Sequence, residues 1–204
     1  SYKHLYNGPM PYMRYARVNF IDNSKTVGAN DVIKTNKLNI TYIDAISNFE
    51  MWGNLNFCER VSTMYPGVLR YIKNPTHQII KNCLALDGNS LKYVIDQTPE
   101  LCLDAVKQNG MALQYTKFKS GDICLAAIEN NPYAIQFIKD PTREMCMKSL
   151  SKSGECIAFI EDQREEYCIT AIKNMANAIS KIAKKNMTEL VKKTAIEQFG
   201  GNVC

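Results

Sequence analysis

The chain has 204 residues, 46% of them hydrophobic and 22% charged, with a formal net charge of +5. That is enough apolar material for one cored domain, or one domain and an arm. No apolar run approaches the ~18 residues of a membrane span and Ser1-Tyr2-Lys3-His4 opens no signal peptide, so neither a membrane protein nor a secreted one is expected.

Residues 1–56 read as a basic, tyrosine-rich arm. Tyr2, Tyr6, Tyr12 and Tyr15 interleave with Lys3, His4, Arg14 and Arg17. The cations Lys3, Arg14, Arg17, Lys25, Lys34 and Lys37 meet only Asp22 and Asp31 before residue 38. Ala16, Val18 and Phe20 alternate with polar residues and predict a short strand, and Leu38, Ile40 and Tyr42 predict a second, with Asn23, Ser24, Gly28 and Asn30 as loop formers between them. A competing reading makes Tyr42, Ile43, Ala45, Ile46 and Phe49 the face of a helix that caps a helical stack. Irregular or mixed structure is expected here. Trp52-Gly53-Asn54 marks the joint, and Trp52 either packs over the next element or stands exposed as an anchor for a partner.

From residue 57 to about 188 one 22-residue unit is written six times. Cys58, Cys102, Cys124, Cys146 and Cys168 lie at multiples of 22 from one another, and Ile80 fills the vacant step. With this residue as slot 1, slot 4 holds Val61, Cys83, Ala105, Ala127, Ser149 and Ala171; slot 5 holds Ser62, Leu84, Val106, Ile128, Leu150 and Ile172. Slots 1, 4 and 5 are neighbours on a helix and form one apolar stripe. Slot 9 is Pro66, Gly88, Gly110, Pro132, Gly154 and Ala176, a column of helix breakers that ends the first helix. A second apolar pattern follows at slots 11, 12 and 15 (Ala112, Leu113 and Thr116 in the Cys102 repeat), with an aromatic at slot 14 in five copies. Each unit therefore holds two short helices. Thr76, Thr98, Ser120 and Thr142 precede the first helix as caps for its free N–H groups, and Glu100, Asp122 and Glu144 suit the positive end of its dipole.

Helices of about two turns are marginal alone. Stacked on like neighbours they bury their stripes on both sides, so the expected fold is an all-α short-repeat solenoid. Residues 189–204 are expected to close it, with Leu190, Val191, Thr194 and Ile196 on a capping helix that ends at Gly200-Gly201. The segment 173–193 is again basic: Lys173, Lys181, Lys184, Lys185, Lys192 and Lys193 oppose only Glu189.

The run Pro99–Tyr115 and the run Ile123–Pro132 resemble the short tandem helical repeat of unknown function found in giant DNA viruses and some bacteria. The resemblance covers residues 57–188, most strongly 98–172. It implies a viral, intracellular setting in host cytoplasm or virion, and it carries over no catalytic residue. The Cys58 repeat departs from the pattern at Glu59 and Ser62, and the Cys168 repeat has Lys181 at slot 14, as ends of an array do.

Of the eight cysteines, five hold slot 1, Cys83 holds slot 4 and Cys156 slot 11, all places for a small buried residue. Equivalent cysteines in adjacent units stand roughly 10 Å apart, beyond disulfide reach, so reduced thiols are expected. Catalysis needs convergent reactive groups. The chain offers two histidines, His4 and His77, and no phosphate-binding glycine loop, nucleophile elbow or zinc-spaced cysteine pair. The expectation is a non-enzymatic protein without cofactor or metal that binds a viral or host protein, as a scaffold, a virion component or an inhibitor.

Nucleic acid bound through the basic ends is the alternative partner. Helical arrays can read one base per repeat, and tracking phosphates calls for a regular basic column. Slot 16 comes nearest with Lys73, Lys117 and Lys139, but Ile95, Glu161 and Ala183 interrupt it. The candidate partner-binding residues are therefore Arg14, Arg17, Trp52, Lys73, Lys117, Lys139, Lys184 and Lys185.

Overall fold

The structure, a computed structural model, describes residues 52–200 and the backbone of 14–20 and 38–44. They fall into two compact units, Ser1–Cys83 and Leu84–Cys204. His4 and Cys204 lie outside the described residues.

In the first unit, β1 (Arg14–Phe20) and β2 (Leu38–Asp44) pair antiparallel, with Val18 opposite Ile40 and Phe20 opposite Leu38. The alternating pattern thus marks two strands, and β2 replaces the start of the competing capping helix at Tyr42 and Ile43; Ala45, Ile46 and Phe49 lie outside the described residues. Helix α1 (Leu55–Ser62) starts at Asn54, whose side chain accepts from the Phe57 N–H at 3.1 Å. It buries Cys58, Val61 and Ser62, and the 3-10 helix η1 (Pro66–Arg70) buries Val68 and Leu69. Helix α2 (His77–Leu86) is capped by Thr76, whose hydroxyl accepts from the Ile79 N–H at 3.3 Å.

In the second unit the two helices of each repeat differ in kind. After η2 (Gly88–Tyr93) come α3 (Pro99–Gln108) with η3 (Gly110–Tyr115), α4 (Gly121–Asn130) with η4 (Pro132–Phe137), α5 (Arg143–Lys152) with η5 (Gly154–Phe159), and α6 (Glu165–Asn174) with η6 (Ala176–Lys181). The second helix is 3-10 throughout. With three residues per turn, slots 12 and 15 eclipse, which is why both point inward. Slot 9 is not merely a stop: it is the first residue of every 3-10 helix in these repeats. The extended residue before it caps that helix in three copies, where Asp87, Asn109 and Asn131 accept from the N–H two residues on.

The α-helices pack in succession from α3 to α6, and the 3-10 helices from η2 to η6. Their shared stripe is the core: Cys102, Ala105, Val106, Ala112, Leu113, Ala127, Ile128, Ala134 and Ile135 are 2% exposed or less. Each buried Leu, Ile or Val contributes on the order of 1.5–3 kcal/mol. Thr98 and Thr142 cap as expected, donors being Leu101 N and Met145 N at 3.3 Å, whereas the Ser120 side chain makes no capping bond. The polar Ser149 is tolerated at slot 4 because its hydroxyl donates to the Pro132 carbonyl at 3.0 Å.

The chain closes with η7 (Lys184–Asn186) and α7 (Glu189–Phe199), which packs on α6 and stops at Gly200 with φ 80°. Thr188 caps α7, and Val191, Thr194 and Ala195 are its buried residues. Leu190, Val191, Thr194 and Ile196 lie on this helix as expected, and Leu190 and Ile196 are 49% and 48% exposed. The intervening η7 sets the helix two residues out of the 22-residue register, so that Leu190 falls where the exposed Glu100 stands in α3. Among the described residues no helix is long and apolar enough to cross a membrane.

Candidate interaction cleft

Two hydrogen-bonded ties join successive repeats of the second unit. The first tie starts at slot 9, where the N–H groups of Gly88, Gly110 and Gly154 donate to the side-chain oxygens of Gln108, Asn130 and Asn174 in the next repeat, at 2.6, 2.7 and 2.9 Å. The same three amides donate back to the carbonyls of Leu86, Lys107 and Ser151 at 3.1, 2.8 and 2.7 Å. A Cβ on Gly88, Gly110 or Gly154 would stand 2.2–2.3 Å from the carbonyl oxygen of Ala105, Ala127 or Ala171. Close approach of backbones, more than helix breaking, requires glycine there.

The second tie starts at slot 18, the sequence Pro75, Gln97, Lys119, Pro141, Gln163 and Lys185. Gln97 donates to the Leu91 and Tyr115 carbonyls at 3.3 and 3.0 Å and accepts from the Lys117 N–H at 2.8 Å. Gln163 repeats this with Ile157, Lys181 and the Ala183 N–H at 3.0, 3.2 and 2.8 Å. Lys119 supplies a simpler version, its ammonium donating to the Phe137 carbonyl at 2.8 Å.

The junction between the Cys124 and Cys146 repeats lacks both amide ties. Pro132 at slot 9 has no N–H to place, and slot 7 of the next repeat is correspondingly Lys152, which donates to the Glu129 carbonyl and carboxylate at 2.7 Å each. Lys148 joins it at 2.7 Å from the same carboxylate. The two ammonium groups hold the Glu129 carboxyl down to about 2. At the other edge Pro141 stands where Gln97 and Gln163 stand elsewhere, and a cleft of about 610 Å³ opens beside it.

The cleft has an aromatic wall, a charged rim and a buried floor. Phe137 and Phe159, both at slot 14, form part of the wall, and Phe159 is 41% exposed. Arg143 is held in a bidentate pair with Glu166, and Arg164 donates to Asp162 at 2.6 Å while lying 5.9 Å from the Tyr167 ring centre. Lys139, Asp140 and Glu161 complete the rim. Asp140 has φ 53°, the one non-glycine residue of positive φ among those described. Such a conformation costs on the order of 1 kcal/mol or more and recurs at binding sites. Tyr167 occupies a position that is Ile79, Leu101, Ile123 or Met145 in other repeats, and burial raises its hydroxyl pKa.

The seven described cysteines are free and buried. Burial pushes each thiol up, Cys83 to about 12, so the thiolate that nucleophilic chemistry needs is disfavoured. Slot 1 also has a polar reason to be cysteine. The thiols of Cys124, Cys146 and Cys168 donate to the carbonyls of Lys119, Pro141 and Gln163 at 3.7, 3.9 and 3.6 Å, and that of Cys102 to the Gln97 side chain at 3.4 Å.

The candidate partner-binding residues do not assemble into one site. Arg14 and Arg17 lie in β1. Trp52 is buried at 7% exposure, stacked on Tyr71 at 5.3 Å and edge-on to Phe57 at 5.7 Å, so it packs over the first repeat and is no exposed anchor. Lys73 is exposed in the first unit. Lys117 spends its ammonium on the Ile95 carbonyl at 2.6 Å. Lys139 is on the cleft rim, and Lys184 and Lys185 are in η7. Two further cations, Arg70 and Lys92, which share slot 13 of their repeats, lie over aromatic rings, Arg70 at 5.0 Å from Tyr71 and Lys92 at 4.9 Å from Tyr93.

Sequence reasoning missed Pro141, Phe159 and Tyr167. The signal for Pro141 was in the slot-18 column, where proline interrupts a series of side-chain donors. Among the described residues no group of three or more His, Cys, Asp or Glu side chains is placed to hold a metal ion. No curated protein and no solved structure matches the chain. The model of a domain of unknown function, DUF4116, matches residues 98–141, a stretch two repeat lengths long that contains α3, η3, α4 and η4.

Proposed function

We propose that this chain is a non-enzymatic interaction scaffold, and that it binds a segment of a partner protein at the cleft between the Cys124 and Cys146 repeats. One observation carries the reading: at this junction alone, among the four pairs of adjacent repeats from Ile80 to Cys168, neither amide tie is made, and an open, mixed-charge, aromatic-walled cleft stands in place of the second. The three other junctions carry a side-chain tie at both edges. Concave clefts lined by aromatic side chains with a few convergent polar groups are where proteins take ligands, and solenoids vary their edge residues without disturbing the stack.

The seven free, buried cysteines support a reducing and therefore intracellular setting. The likeness to giant-virus repeats supports a viral origin, with a virion component or a host-targeting inhibitor as the two forms of the scaffold. Nucleic acid held by Lys184 and Lys185 is the second reading, favoured by the exposure of both in η7.

Affinity capture from host or infected-cell lysate, with and without nuclease and over a salt series, tests both. The proposal expects a protein that survives nuclease, is lost with Phe159→Ser and is kept with Lys184→Glu/Lys185→Glu. Recovery of RNA or DNA that falls steeply with salt and vanishes in the double lysine variant would replace it with the nucleic-acid reading.

A further inference from the structure

The slot-18 tie shows what chemistry fits this edge of the fold. A carboxamide is used there twice, and in the same way each time. Its NH2 donates to the slot-14 carbonyl of the next repeat, Tyr115 from Gln97 and Lys181 from Gln163, and its oxygen accepts the slot-16 N–H, Lys117 or Ala183. Both bonds are needed, since one group is an acceptor and the other a donor. Lys119 at the intervening junction satisfies the carbonyl of Phe137 only.

At the Cys124–Cys146 junction the equivalent pair is the Phe159 carbonyl and the Glu161 N–H, and both residues line the cleft. Pro141 has no side-chain donor or acceptor to offer them. Among the described residues no hydrogen bond reaches either group. The backbone therefore presents an acceptor and a donor in the arrangement that binds a glutamine side chain at two sister junctions of the same molecule.

We propose that the cleft is a binding site for a primary carboxamide, the side chain of a Gln or Asn in an extended segment of a partner protein, seated between the Phe159 carbonyl and the Glu161 N–H. The inference rests on the scaffold reading above and names its ligand chemistry. A carboxylate cannot donate to the Phe159 carbonyl, and an ammonium cannot accept from the Glu161 N–H. The cleft, at about 610 Å³, is much larger than one carboxamide, and its Phe137 and Phe159 wall leaves room for the residues that flank it.

The test uses the purified full chain, labelled with ¹⁵N, titrated with N-acetylglutamine N-methylamide and with its glutamate isostere. The expected result is a saturable shift of the Glu161 amide resonance with the glutamine probe, in the millimolar range usual for so small a ligand, and at least about tenfold weaker binding of the glutamate probe. Pro141→Gln, which supplies the missing carboxamide from within, should abolish the shift, and Pro141→Ala should keep it. Should Pro141→Gln fail to fold, Glu161→Pro deletes the donor N–H and should abolish the shifts that the glutamine probe gives at the neighbouring Ile160 and Asp162 amide resonances. An unmoved Glu161 amide, equal binding of the two probes, or undiminished binding by a folded Pro141→Gln would overturn the inference. Were the probes to fail while capture of a protein still depended on Phe159, the carboxamide chemistry would fall and the scaffold reading would stand.

Discussion

The junction between the Ile80 and Cys102 repeats and the junction between the Cys124 and Cys146 repeats are built on the same apolar stripe and finished differently. At the first, Gln108 ties Gly88 and Gln97 ties Tyr115 and Lys117, so both edges of the interface are closed by amides. At the second, Pro132 has no N–H to be tied and Pro141 no side-chain group to tie with, a Lys148–Glu129–Lys152 cluster covers one edge, and the other stays open as the cleft. The core sets the repeat spacing at both. What differs is the polar edge, and that edge is where a repeat protein can expose a binding site without losing its fold.

The comparison breaks first if the stripe is not its common foundation. Ala127→Asp would bury an unpaired charge at a position with no exposure, and the expected loss is about 3–5 kcal/mol, enough to abolish a cooperative melt by circular dichroism. Ala112→Asp should do the same.

Next in size is the glycine of the closed junctions. In Gly110→Ala the new Cβ would meet the Ala127 carbonyl oxygen at 2.3 Å and Asn131 at 2.9 Å, both partly backbone, so a cost of about 2–3 kcal/mol is expected. Pro132→Ala, at the same slot of the open junction, replaces a residue that already has a Cβ and should cost under about 1 kcal/mol. Equal losses in denaturant titrations would show that slot 9 is not the distinguishing contact.

The ties themselves come third. Asn174→Ala strands the buried N–H of Gly154 and should cost about 1–3 kcal/mol. Lys152→Ala strands no N–H, because Pro132 has none; it removes an exposed ion pair and a bond to the Glu129 carbonyl, and its loss should be the smaller of the two.

The smallest effect is electrostatic. The Glu129 carboxyl is held down to about 2, below its ordinary value near 4.5, so its pairing stabilises the fold fully above about pH 4.5 and is lost as pH falls toward 2. The melting-temperature difference between wild type and Glu129→Gln should therefore shrink across that window and also shrink with added salt. A difference that persists at pH 2 would mean the cluster acts by packing.

A separate check concerns the thiols. Alkylation of the seven buried cysteines should proceed only on unfolding, and reductant should leave the melt unchanged.

The repeating stripe, the two-helix unit and the threonine caps were readable from residue spacing alone, because slots 1, 4, 5, 11, 12 and 15 all face inward and tolerate little besides small or branched apolar side chains. Even the ties left a trace in the sequence: Gly88, Gly110 and Gly154 are each followed twenty residues later by Gln108, Asn130 or Asn174, whereas Pro132 is followed by Lys152. The trace does not announce itself, since Asn, Gln and Lys are ordinary residues on exposed helix faces. Trp52 was ambiguous for a like reason, an aromatic being equally at home in a core or at an interface.

By itself, then, the amino-acid order determined the period, the helical class and the buried positions of residues 57–188, since burial imposes periodicity that any copy of the repeat must keep. Only the tertiary structure decided that the second helix is 3-10, that slot 9 is a point of backbone contact, and that Pro141 opens a cleft. Those features depend on which carbonyl and N–H of one repeat come to lie against the next, a distance across the stack that no local pattern records.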